Sequence, residues 1–131
     1  MISVRGYITS RPFMGDRAPQ KVQNLVIRDF CEKNNFFYIL SATEYSMPKC
    51  YKALYEVMEQ LDGIGGIVAY SLFQLPEDNK KRQNVLNQLI KNKKKFYFAL
   101  ENMKVTTSED IEMIENIWLL KKTLPNCLKK K

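Results

Sequence analysis

Short apolar runs alternate along this chain with segments whose apolar residues recur every three or four positions. Residues 2–9, 36–40, 66–71 and 96–100 form the runs. Residues 36–40, Phe-Phe-Tyr-Ile-Leu, are continuously apolar, as a strand covered on both faces must be. Between the runs, Val22, Leu25, Val26, Phe30 and Cys31 keep helical spacing after Pro19, which suits a first turn, and Asn34-Asn35 ends the segment. Tyr51, Leu54, Tyr55, Met58 and Leu61 do the same from about Pro48 to Asp62-Gly63. Val85, Leu86, Leu89 and Ile90 follow Pro76-Glu77-Asp78, whose acids favour a helix start. Ile111, Ile114, Ile117 and Trp118 follow a cap at Thr107 or Ser108.

Strands alternating with helices imply right-handed crossovers and a parallel sheet. The fold class is α/β: a single-domain, three-layer αβα arrangement around a four-stranded, mainly parallel sheet of order 2-1-3-4. The domain is expected over residues 1–122, and residues 123–131 form a basic C-terminal tail in which Leu124 and Leu128 pack back. At 131 residues, 45% of them apolar, the chain is long enough to bury one core.

Composition narrows the chemistry. With no histidine, histidine-based acid/base and nucleophilic catalysis are excluded, and three scattered cysteines without a CxxC make zinc improbable. No cofactor is expected. No run approaches a membrane span and no charged leader precedes an apolar region, so a cytoplasmic protein without membrane contact is expected. The net charge of +7 raises nucleic acid as a partner. The excess, however, sits in Lys93-Lys94-Lys95 and in Lys121, Lys122 and Lys129–Lys131, without interleaved aromatics. Solvated turns and tails are the simpler account.

In a parallel arrangement, the polar clusters that close all four runs fall on one sheet edge, where open α/β sheets bind ligands. The loop from Ser10 to Gln20 is longer than usual and carries Arg11 and Arg17 ahead of a helix N-terminus. Those arginines suit a phosphate or carboxylate; alternatively, they pair with Asp16 on a surface loop. Gln23 and Asn24 open the next helix toward the same edge, as hydroxyl-binding groups or as solvated helix polars. In Ser41-Ala42-Thr43-Glu44, Glu44 is the best general acid or base in a chain lacking histidine, or else an exposed turn acid. Ser71, Gln74 and Glu101 complete the edge.

Gly6-Tyr7-Ile8-Thr9-Ser10-Arg11, Ser71-Leu72-Phe73-Gln74-Leu75-Pro76-Glu77 and Thr106-Thr107-Ser108 resemble the catalytic domain of serine recombinases, the resolvases and invertases. The resemblance covers residues 2–118 and implies a resolvase-like fold, with dimerisation. Ser10 falls one residue short of that family's nucleophile, and its Asp-Arg pair and following arginine are Phe73-Gln74 and Glu77 here. Strand cleavage needs such arginines at the phosphoryl transition state, so that activity is not expected.

A second resemblance covers most of the chain. Residues 6–13, 19–29, 41–45 and 70–78 are similar to the sporadic carbohydrate cluster proteins of bacteria, which implies surface-polysaccharide or sugar-precursor biosynthesis. The expected partners are an anionic sugar or nucleotide sugar and further copies of the chain, as a homodimer or higher homo-oligomer. Catalytic roles fall to Glu44 and Ser10, and substrate contacts to Arg11, Arg17, Gln23, Asn24, Thr43, Ser71 and Gln74. The alternatives are an inactive recombinase relative that binds nucleic acid, and a non-catalytic interaction or regulatory subunit.

Overall fold

The computed structural model describes residues 2–10, 12–13, 17–47 and 49–129, with side chains to residue 123. Strand β1 (Ile2–Ile8) is followed by α1 (Gln20–Lys33), β2 (Phe36–Thr43), α2 (Lys52–Glu59) and β3 (Gly66–Ala69). A single 3-10 turn, Leu72–Gln74, precedes α3 (Asn79–Lys91), β4 (Lys95–Phe98), β5 (Met103–Val105) and α4 (Ser108–Lys129). The sheet has the order β2-β1-β3-β4-β5. All pairings are parallel except β4 with β5.

The α/β sheet and its switch point between β1 and β3 match the sequence expectation, and β5 adds a fifth strand. It is only three residues long, too short for its alternation of Met103, exposed Lys104 and buried Val105 to read as a strand in sequence. Its register comes from a tight reversal through Asn102, whose φ of 54° is left-handed. β2 also runs three residues past the apolar stretch, so Ser41, Ala42 and Thr43 lie in the strand rather than after it. α4 continues across the expected boundary between residues 122 and 123.

β3 sits in the middle with all four residues buried. Gly66 is required there: a Cβ would overlap the Lys95 carbonyl oxygen on β4. One sheet face carries the larger core, in which Tyr7, Ile67, Ala69, Phe96 and Phe98 meet Leu54, Val57 and Met58 of α2. Val85, Leu86 and Leu89 of α3 and Ile111, Ile114 and Trp118 of α4 complete it. The other face carries α1 alone, with Ile27, Phe30 and Cys31 against Val4, Ile8, Val68 and Tyr97. Burial removes most of the acidity of the Cys31 thiol, pushing it up to about 11.

α3 and α4 are clamped by Arg82, which is 1% exposed. Its Nε and Nη2 donate to the two carboxylate oxygens of Glu115 at 2.6 and 2.7 Å. Its Nη1 donates to the carbonyls of Pro76 and Glu77, and its Cζ lies 4.3 Å from the Trp118 ring centroid. With Nη2 also donating to Asn79 Oδ1 at 2.7 Å, all five N–H groups of the guanidinium meet an acceptor, the condition for burying one.

Candidate functional site at the C-terminal edge of the sheet

The strand ends are joined by a buried chain of hydrogen bonds. Gln23, fully buried at the start of α1, accepts from the Thr9 amide at 3.0 Å and donates to the Thr9 carbonyl at 2.6 Å. The same amide nitrogen donates to the Ala18 carbonyl at 2.8 Å. Gln74 donates to Gln23 Oε1 at 2.7 Å and to Thr9 Oγ1 at 3.0 Å, and accepts from the Ser71 amide. Ser71 Oγ donates to Glu101 Oε2 at 2.7 Å, and Glu101 Oε1 accepts from the Leu72 amide at 2.9 Å. The tips of β1, β3 and β4 and the first turn of α1 are thereby locked together.

Burying Gln23 turns α1 about its axis. Gln23, Ile27, Phe30 and Cys31 face inward, while Val22 and Leu25, expected in the core, are exposed. Gln23 and Gln74, expected as substrate contacts, spend their polar atoms on the protein and lie behind the surface of the edge. Asn24 is turned aside, where its Oδ1 accepts from Ser41 Oγ at 2.8 Å and from Tyr38 Oη at 3.3 Å.

Glu44 also lies inside, at 2% exposure. It accepts from Tyr7 Oη at 2.8 Å and from the amides of Ala53 at 2.9 Å, Tyr45 at 3.1 Å and Leu54 at 3.2 Å. A carboxylate so placed caps α2, which lacks a cap from its own Tyr51. The geometry gives Glu44 a structural partner for each oxygen rather than a substrate, so the acid/base role is not carried further. Thr43 is exposed at the end of β2, and Ser10 is half-buried just past β1. Arg11 lies outside the described residues.

Arg17 and Ser71 do come together. They line a cleft of about 360 Å³ with Phe13, Ala18, Tyr70, Phe73, Leu100 and Glu101. Phe13 meets Tyr70 edge-on at 6.1 Å, and Phe73 packs edge-on against Trp118 at 5.3 Å with Lys121 Nζ 5.4 Å from its ring centroid. Phe13 and Phe73 wall the cleft without closing it. Nothing in the sequence assigns these rings to a site, because an aromatic residue in a loop reads equally as core. Glu101 reads from sequence only as closing the edge, although among the described residues it is the carboxylate lining the cleft. The described residues contain no group of three or more histidine, cysteine or acidic side chains able to hold a metal ion. No helix among them is long and apolar enough to cross a membrane.

The architecture is a resolvase-type α/β fold. It is similar to the crystal structure of a resolvase family site-specific recombinase from Streptococcus pneumoniae, with a TM-score of 0.66 at 11% identity over 97% of each chain. It is also similar to the N-terminal catalytic domain of TP901-1 integrase, with a TM-score of 0.57 at 12% identity over 96% of this chain and 97% of that one. No family model and no curated protein matches the sequence. The resemblance to the carbohydrate cluster proteins therefore gains no support from these comparisons, whereas the resolvase likeness holds for the fold.

Proposed function

We propose that the chain is a ligand-binding protein of bacterial surface-glycan or sugar-precursor biosynthesis. Its ligand is an anionic sugar (a sugar phosphate, nucleotide sugar or acidic sugar) held in the cleft at the C-terminal edge of β3 and β4. The observation that carries this reading is the cleft's composition. Phe13, Tyr70 and Phe73 supply apolar walls for a sugar ring, Arg17 supplies a fork for a phosphate or carboxylate, and the half-buried Glu101 keeps lone pairs for hydroxyls. The buried glutamine network beneath holds these groups without a ligand, the preorganisation that binding favours. Titration calorimetry with representatives of the three ligand types tests the reading. Arg17→Ala is expected to weaken binding by about tenfold or more, the worth of a charge-assisted contact; unchanged affinity would overturn it.

A second reading, an inactive recombinase relative that binds nucleic acid, is favoured by the shared fold together with the net charge of +7. It requires retention on DNA at about 50 mM salt that falls steeply as salt rises. Absence of retention removes it. In this sequence the places of the recombinase Asp-Arg pair hold Phe73, a cleft wall, and Gln74, a buried network residue.

A further inference from the structure

Among the described residues, the cleft is lined by one cation and one carboxylate that do not neutralise each other. Arg17 and Glu101 line the same space, yet they make no ion pair with one another. Glu101 is fixed rather than swinging, because Ser71 Oγ and the Leu72 amide each hold one of its oxygens. Its charge faces a space whose walls are the rings of Phe13, Tyr70 and Phe73.

A carboxylate among aromatic faces attracts a positive group twice over. The carboxylate supplies charge, and the Phe13 and Tyr70 rings line the same space as aromatic partners for an ammonium group, Phe73 already having Lys121 over its ring. A purely anionic ligand would meet Arg17 favourably and Glu101 unfavourably, and like charges brought together are costly. A ligand carrying both signs satisfies each side.

From this we infer that the cleft selects a small zwitterion, whose ammonium lies against Glu101 and the rings while its phosphate or carboxylate lies against Arg17. The inference rests on the proposed function in taking the body of the ligand as one sugar ring, so that the preferred ligand is an amino sugar carrying a single acidic group. The volume agrees. About 360 Å³ is near the small end of the range for small-molecule sites. It suits one ring with its substituents better than a base, ribose, diphosphate and sugar together.

The experiment is calorimetric competition among glucosamine 6-phosphate, its N-acetyl form, glucose 6-phosphate, a nucleotide sugar and phosphoethanolamine. The amine form is expected to bind at least about tenfold tighter than the N-acetyl and glucose forms, as befits one charged hydrogen bond. Glu101→Gln, whose amide oxygen can still accept from the Leu72 amide, is expected to abolish that preference, so that the amine form binds no tighter than the N-acetyl and glucose forms. Thermal melting confirms that the variant is folded. Equal binding of the three sugar phosphates, or tightest binding by the nucleotide sugar, overturns the inference and leaves the proposed function standing. Binding of phosphoethanolamine but of no sugar overturns the sugar reading and keeps the charge logic. Binding of none overturns both.

Discussion

Glu44 and Glu115 are carboxylates that the fold has turned inward, and their partners say how each responds to change. Glu44 takes up three backbone amides and a tyrosine hydroxyl, so Glu44→Ala strands those donors. A loss on the order of 3 kcal/mol is expected by denaturant titration, with Glu44→Gln recovering part of it. At Glu115, burial pushes the carboxyl up, but the hydrogen bonds of Arg82 and Gln83 and the charges of Arg82 and Lys122 outweigh it. The net direction is below the ordinary 4.5. A carboxylate held lower in the folded state contributes stability that is present above its unfolded value and lost as pH falls through its folded one. Stability should therefore decline below about pH 4.5, and Glu115→Gln should flatten that decline as read from melting temperature against pH. Cys31, pushed up to about 11 by burial, is expected to resist thiol reagents at neutral pH in a Cys127→Ser background, while half-buried Cys50 reacts first.

Among the elements, α2 depends most on others. Its eight residues fall short of the roughly 12–15 at which an isolated helix holds together in water. Its N-terminus is capped from β2's end and its apolar side by the sheet. At the sheet's centre, Gly66→Ala forces a methyl group into the Lys95 carbonyl. It should cost about 1–3 kcal/mol or prevent folding, as judged by circular dichroism and urea titration. The strands and helices could be read from sequence because period and run length carry most of the signal. β5 could not, since three residues display no period. Periodicity turns Phe30 and Cys31 of α1 inward correctly but puts Val22 and Leu25 there too, because a glutamine stands where an apolar residue would. Periodicity counts hydrophobicity and is blind to a buried side chain whose polar atoms are all paired.

At the scale of the whole molecule, three helices cover one sheet face and one covers the other, and the strand tips converge on a single edge. That convergence was legible from the order of the elements. Which tip residues face solvent was not: Gln23, Gln74 and Glu44 looked like site residues and serve the fold, whereas Phe13, Tyr70 and Glu101 line the cleft. Composition cannot tell a satisfied amide from a waiting one. The resolvase-type fold with a glutamine in an arginine's place makes a clear expectation: incubation with supercoiled plasmid should give no nicked or linked product on a gel.

The amides of Gln23 and Gln74 also have a direction. Gln74 gives its hydrogens to Gln23 and Thr9, and Gln23 passes hydrogens on to the carbonyls of Thr9 and Ala18. Reversing either end sets oxygen against oxygen, so neither residue is free to drift alone. Across descendants of this sequence the two positions, 51 residues apart, should be inherited as a pair and change as a pair. That leaves a trace in the genetic record of a bond invisible along the chain.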